Sequence, residues 1–348
     1  MGGVATEWPL TRGTVRALYE DETVDHHDVL QEFEALRALK RRVPRVVERV
    51  GRQAWGACVN ASAAHSGGPT HARDVVISRA FFKMREIFLS CAIPFPSSSL
   101  HLCEAPGGFV QWMGKNHPSP SEWSWRAVSL KGGPEFRTDL LPMHRGGVVE
   151  GDVLATNECM KNIDPGAWDL VTADGAVQMD HDCLDEEHLE LLWSQATVAC
   201  HALRVGGTFV VKFFEGELRA THLFIAHMTM AFRQVSIIKP FTSRPTNSER
   251  YLVCRHFESP VSRDDDGVVP NQWYDDLLLV LGRLASDQTR QLSRILSLLD
   301  NSPPDLTCSS SPPPRPSPPP RSPPPPRSPP PPRSPPPPRS PPSPSCSP

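Results

Sequence analysis

From Ser78 to Cys254, short apolar runs alternate with stretches in which apolar residues recur every three or four positions. The runs at 100–103, 126–130, 147–150, 168–172, 208–213, 235–238 and 251–254 read as strands. Helical spacing occupies 78–91, 110–115, 186–203 and 217–232, with Ser78 placed to cap the first of these. Seven strands alternating with helices predict an α/β fold built on a doubly wound sheet. Ligands of such a sheet bind beyond the carboxyl ends of its strands, at the switch point.

Outside this region the pattern changes. Leu30, Phe33, Leu36 and Leu39 predict a helix over 28–42, and 275–300 predict another. The stretch 61–70 (ASAAHSGGPT) has the composition of a loop. After Asn301 the chain becomes a repeat of RSPPPP, and most of its 40 prolines lie there. Such a segment cannot bury a core and favours polyproline II, so a disordered tail is expected. The layout expected is a partly helical extension at 1–76, a main α/β domain at 77–258, a helical segment at 259–301 and the tail at 302–348.

Composition narrows the class. No run of 18 apolar residues is present, so no transmembrane helix is expected. The first ten residues include Glu7 and lack the basic-then-apolar pattern of a signal peptide. The nine cysteines form no CxxC pair, and read as reduced thiols of an intracellular protein rather than disulfides or metal ligands. The chain carries a net charge of −3; without the tail, 31 basic and 38 acidic groups leave −7. Nucleic acid would therefore have to be met by a local basic patch.

Six stretches could carry chemistry. HLCEAPGGFV, 101–110, follows a strand and opens a helix, so Gly107 and Gly108 would let backbone approach a ligand whose carboxylate meets the helix N–H groups. Elsewhere a PGG is simply a turn. Asp152 follows the third strand, where it could accept from an adenine amino group or cap its own turn. WDLVTADGA, 168–176, ends in Asp174 at the ligand-binding pole. GGTFVVKFFE, 207–215, places Lys212 inside a strand that should be buried, which demands an anionic neighbour, and Asp174 on the next strand is the natural one. KPFTSRPTNSERYLVC, 239–254, is a polar loop that brings Glu249 to a strand entrance. Lys83 flanks the apolar stripe of Ala80, Met84, Ile87 and Cys91, where a snorkelling surface lysine is the plain alternative.

In this order and spacing, Lys83, Asp174, Lys212 and Glu249 resemble the K-D-K-E tetrad of the FtsJ/RrmJ class of RNA ribose 2′-O-methyltransferases. HLCEAPGGF, TADGA and KPFTSRPTNSERYLVC are most similar to the signatures of cap-specific mRNA enzymes, and WSWRAVSL at 123–130 resembles the cap 2 type. The resemblance covers about residues 78–256 and implies a Rossmann-like class I methyltransferase that uses S-adenosyl-L-methionine and no metal. It implies that Lys212 assists loss of the hydroxyl proton, with Lys83 beside it and the two carboxylates holding both lysines. It further implies that Glu104, Ala105, Pro106, Gly107, Gly108 and Phe109 hold the cofactor, with Asp152 and Asp174 completing its site. Ser243, Arg244, Asn247 and Ser248 would meet capped mRNA.

Some contacts stay unassigned. Ser129, Leu130 and Lys131 end the second strand without an acid for the cofactor ribose. Trp123, Trp125, Phe136 and Trp168 are available to stack on a cap, although aromatic residues more often pack a core. The RSPPPP repeats could dock a WW or SH3 domain or a partner in the transcription machinery, or serve as a solvated spacer. Nuclear residence suits cap methylation, with the cytoplasm as the alternative, and Lys40-Arg41-Arg42 is too short to decide. Two other functions stand beside the cap reading: a ribosomal or transfer RNA ribose methyltransferase, and a non-catalytic scaffold that uses the tail.

Overall fold

The computed structural model describes residues 7–10, 27–64, 75–176, 184–214, 216–244, 246–263 and 271–300. A short strand, β1 (Glu7–Leu10), is followed by three helices, α1 (His27–Lys40), α2 (Val43–Val50) and α3 (Arg52–Ala64). Then come α4 (Ala80–Ser90), β2 (Ser98–Leu102), α5 (Gly108–Asn116), β3 (Ser124–Ser129), β4 (Gly146–Glu150), α6 (Thr156–Met160), β5 (Trp168–Ala173) and α7 (Leu184–Ala202). The chain continues through β6 (Leu203–Phe213), α8 (Arg219–Ala231), β7 (Phe232–Ile238), β8 (Arg250–Phe257) and α9 (Asn271–Asp300).

The strands form one sheet in the order β1-β7-β8-β6-β5-β2-β3-β4. Strands β2 to β6 pair in parallel, and β8 enters antiparallel between β6 and β7. All seven expected strands are present. The eighth, β1, adds antiparallel to β7, pairing Glu7 with Ile238 and Leu10 with Val235. Four residues containing a proline carry too little alternation to be read as a strand, and an edge is where a sheet tolerates proline.

Alternate residues of the central strands feed opposite faces, as the two-residue period of a strand requires. Val171, Phe209, Val211, Leu252 and Cys254 join the core layer under α7, α8, α9 and the N-terminal helices. Leu170, Val210, Tyr251 and Val253 join the other layer, with Met84, Ile87 and Phe88 of α4 and Phe109 and Met113 of α5. The parallel strands are thus covered on both faces. The helix expected over 275–300 buries Trp273, Leu277, Leu281, Leu284, Leu292 and Leu299 on one stripe. At about 1.5–3 kcal/mol for each fully buried large apolar side chain, that stripe anchors α9 firmly. Phe33 and Leu36 of α1 join the same layer.

The Ser78 hydroxyl accepts the Ala80 N–H at 3.2 Å and so helps start α4. The stretch expected to be a loop at 61–70 is helical as far as Ala64, because α3 runs on through small residues that suit a helix. The helices α2, α3 and α6 were not expected. Trp123, Trp125 and Trp168 are buried, so core packing is their fate rather than a cap pocket, and Phe136 packs at the core's edge. Cys58, Cys91, Cys103, Cys159, Cys200 and Cys254 are free thiols. The tail at 302–348 and Cys183, Cys308 and Cys346 lie outside the described residues. Among the described residues, no helix is long and apolar enough to cross a membrane.

Candidate active site

The order of strands reverses between β2 and β5, and the loops leaving their carboxyl ends meet there. The loop after β2 turns into α5 at Gly107, whose φ of +108° suits only glycine. A Cβ on Gly108 would stand 2.5 Å from Ser78 Oγ and 2.8 Å from Ala80 Cβ, so this glycine lets the loop sit on the start of α4. Glu104 is buried beneath the turn. One of its oxygens accepts the Phe109 N–H, while Oε2 has no partner among the described residues. Burial pushes its carboxyl well above the usual range, against the pull of the Phe109 N–H and with a further push from Asp174. Ala105 and Pro106 are half-buried in the same loop. The Phe109 ring, expected at the cofactor, is fully buried against Tyr251 instead, so this residue offers the site only its N–H, which Glu104 takes. Asp152 is exposed after β4, and its Oδ1 accepts the Leu154 N–H at 2.9 Å, leaving the other oxygen outward.

The four tetrad residues converge on the α4 face of the same pole. Lys212 lies on β6 opposite Tyr251 of β8. Its ammonium reaches Asp174 Oδ1 at 3.1 Å and donates to the Asp174 carbonyl at 2.6 Å. The Tyr251 hydroxyl donates to the same Oδ1 at 2.8 Å. Lys83 does not snorkel to solvent: its ammonium sits 2.7 Å and 2.8 Å from the two Glu249 oxygens. All four side chains are at most 15% exposed, so both ion pairs are nearly dry. Burial raises the Glu249 carboxyl, but Lys83, Lys212 and Lys239 together outweigh it and bring it down to about 2. That Lys212 acts on Glu249 shows the two pairs to be electrostatic neighbours.

Lys239 was quoted in the 239–254 stretch but given no part there. Its ammonium donates to the Asn247 carbonyl at 2.6 Å, to Asn247 Oδ1 at 2.7 Å and to the Glu249 carbonyl at 2.6 Å. It thereby ties the loop between β7 and β8 into a fixed shape. Burial pushes the Lys239 ammonium well down, opposed by Glu249. Ser243 and Ser248, expected at RNA, are both 2% exposed. Ser243 donates to Glu249 Oε1 at 2.9 Å, and Ser248 accepts from Lys40 at 2.7 Å and from Gln288 at 3.2 Å. They brace Glu249 from within, because the flanking helices cover this side of the loop. Asn247 is held by Lys239, and only Arg244 of the four is exposed, 3.3 Å from Asn60 Oδ1. His101 is enclosed between the Ser99 and Thr172 hydroxyls, and burial lowers it to about 3, so it is a neutral core residue.

Tyr251 and Lys239 were within reach of the sequence only as positions. Tyr251 stands two residues after Glu249, and alternation puts both on one face of β8. A doubly wound sheet with a glycine turn at its switch point and two buried lysine–carboxylate pairs beside it defines a Rossmann-like protein with a lysine–carboxylate cluster at its ligand-binding pole. Residues 76–257 match the family model described as FtsJ-like methyltransferase, and the chain belongs to that family. It is 30% identical over 214 residues to the mouse cap-specific mRNA (nucleoside-2′-O-)-methyltransferase 2, covering 52% of this chain and 27% of that protein. It is 27% identical over 169 residues to a putative tRNA (cytidine(32)/guanosine(34)-2′-O)-methyltransferase of Dictyostelium discoideum, covering 46% and 59%. A probable methyltransferase of African swine fever virus is 29% identical over 212 residues, covering 51% and 49%. The chain thus spans about a quarter to three-fifths of the length of these relatives.

Proposed function

We propose that the chain transfers a methyl group from S-adenosyl-L-methionine to the ribose 2′-hydroxyl of a cap-proximal nucleotide of mRNA, the first or the second. The observation that carries this reading is the meeting of two dry pairs, Lys83–Glu249 and Lys212–Asp174, beside the Gly107 turn. A ribose hydroxyl is a weak acid and needs its developing negative charge stabilised as the new bond forms. The Lys212 and Lys83 ammonium groups are the cations for that role. The Lys212 ammonium orients the hydroxyl oxygen while its proton passes to solvent water, and Asp174 and Glu249 keep both lysines from swinging away.

The loop after β2 fits the cofactor. The unpartnered Glu104 Oε2 suits a cationic amino group, whose arrival would draw the proton from this raised carboxyl. Gly107, Gly108, Ala105 and Pro106 give a turn with little side chain in the way, and Asp152 keeps an oxygen for a donor such as an adenine amino group. When bound, S-adenosyl-L-methionine supplies an electrophilic methyl on a sulfonium, and the rest is positioning.

The test is transfer of labelled methyl from S-adenosyl-L-methionine to matched capped and uncapped short RNAs, with Lys212→Ala as control. Cap-dependent transfer lost in the variant is the expected result. Equal transfer to uncapped RNA would sink the cap reading. Transfer to tRNA alone would favour the second reading, a tRNA ribose methyltransferase, which the likeness to the Dictyostelium protein supports.

A further inference from the structure

The densest basic run before the tail lies in the N-terminal extension. Between Arg37 and Arg52, seven residues are basic (Arg37, Lys40, Arg41, Arg42, Arg45, Arg49 and Arg52) and only Glu48 is acidic. This run spans the end of α1, all of α2 and the start of α3, and it precedes the residues that match the family model. Four of these seven charges are engaged within the fold, Lys40 among them through Ser248. Arg37 meets Glu217, and Arg42 and Arg49 share the single carboxylate of Asp300 at 2.9 Å and 2.6 Å. Arg41, Arg45 and Arg52 are exposed and hold no acidic group among the described residues. Packing alone does not explain them, since Val46 alone is the fully buried anchor of α2.

The helices that carry the run, α1 to α3, are fastened to the loop before Glu249 at two points. The Lys40 ammonium donates to Ser248, the residue before Glu249. Asn60 of α3 accepts from Arg244, five residues before Glu249. Arg79, one helical turn before Lys83, stands close enough to Arg244 for the two cations to repel each other. A line of cations therefore leads from the tetrad through Arg79 and Arg244 to the exposed face of α1–α3. Exposed cations without an acidic partner, as Arg41, Arg45 and Arg52 are among the described residues, fit a polyanion, and the polyanion that continues from a ribose is its own phosphodiester backbone.

We propose that Arg41, Arg45 and Arg52, together with Arg244, form the phosphate track that holds the RNA strand running away from the methylated ribose. The inference rests on the proposed RNA substrate and adds the part of the chain that grips it. The extension before residue 76 then works as the RNA-binding arm of the enzyme. Its contacts are to backbone, so they raise affinity without reading sequence.

The experiment uses the full chain and a fluorescein-labelled single-stranded 12-mer RNA, capped at its 5′ end. Its affinity is measured by anisotropy across a salt series, with methyl transfer to the same RNA followed in parallel. The variant is Arg41→Gln/Arg45→Gln/Arg52→Gln. A charge-matched control, Lys161→Gln/Arg204→Gln/Arg233→Gln, lies at the opposite pole of the sheet. Each phosphate contact on a single strand contributes about 0.7 to the slope of log K against log salt, so the track variant should lose roughly 2 from that slope. Affinity at low salt should fall at least tenfold, and KM for RNA should rise with kcat and cofactor affinity unchanged. The control should behave as wild type. An unchanged slope in the track variant, or an equal loss in the control, overturns the proposal, and a track that serves an acidic protein instead would give the unchanged slope. The two readings fail separately. Methyl transfer with an unchanged slope leaves the enzyme and removes the track; a slope lost in the variant without transfer by the wild type keeps the track and removes the reaction.

Discussion

Replacing Lys239 by methionine tests whether the loop that presents Glu249 is held by this one ammonium. The substitution keeps the length and apolar stem of the side chain and removes its donors. Four oxygens then lose a partner: the Asn247 carbonyl, Asn247 Oδ1 and the Glu249 carbonyl, all now within 2.7 Å, and Ser243 Oγ at 3.3 Å. A buried acceptor left unpaired costs about 1–3 kcal/mol, and water can reach part of this half-buried loop, so the sum falls short of one full penalty for each oxygen. Methionine also relieves the cost of burying a charge, the same cost that pushes the Lys239 ammonium down. The balance is a loss of about 2–4 kcal/mol. At roughly 2–4 °C per kcal/mol for a domain of this size, Tm should fall by about 5–15 °C. Urea unfolding followed by tryptophan fluorescence measures the loss directly, with the m value unchanged. Methyl transfer should fall at least tenfold while cofactor affinity holds, because Lys239 serves the β7–β8 loop and not the loop after β2. A variant within about 0.5 kcal/mol of wild type would show that the loop is fixed by its flanking helices alone, and the reasoning would be wrong.

Tyr251→Phe removes one donor to Asp174 Oδ1 and should cost about 1.5–3 kcal/mol of stability, as for a hydrogen bond to a charged group, with a fall in kcat and no change in cofactor affinity. Gly108→Ala drives a methyl to within 2.8 Å of Ala80 Cβ and 2.9 Å of the Phe81 nitrogen, so titration calorimetry should show weaker cofactor binding and melting should show a loss of about 1–3 kcal/mol. Glu249 is held down to about 2, so its contribution, about 3 kcal/mol, is complete above the unfolded carboxylate value near 4.3 and is lost as pH falls through 2. The stability of Glu249→Gln should therefore change less between pH 5 and pH 2 than that of the wild type; parallel curves would deny Glu249 its depressed value.

The strands were legible because a doubly wound sheet is buried on both faces, which turns each central strand into an apolar run with polar ends. Lys212 stood out for the same reason, as a cation inside such a run, and its need for an anion pointed to Asp174. Lys83 gave a weaker signal: at the flank of a helical stripe, a lysine can face solvent as easily as a carboxylate. Only the approach of the β7–β8 loop to α4, a matter of tertiary packing, turns it toward Glu249. Ser243 and Ser248 were placed at RNA because a polar loop reads as surface, whereas α1 and α9 close over it through Lys40 and Gln288. Those two helices were expected from their periodicity, but they lie outside the family match, so no motif could announce where they dock. The strand β1 escaped notice because four residues are too few for periodicity to show.

The electrostatics of the site follow from the same packing. Two carboxylates, Asp174 and Glu249, face three ammonium groups, Lys83, Lys212 and Lys239, in a nearly dry space. Had each lysine been balanced by its own acid, the pocket would offer a developing oxyanion little net attraction. Lys239 is satisfied by carbonyl, amide and hydroxyl oxygens, which are neutral, so it holds the loop without taking a carboxylate from the two tetrad lysines. The arrangement therefore spends neutral dipoles rather than a third carboxylate to hold the loop between β7 and β8. A third acid beside Lys239 would secure the loop equally well and would weaken the stabilisation we propose for the two tetrad lysines.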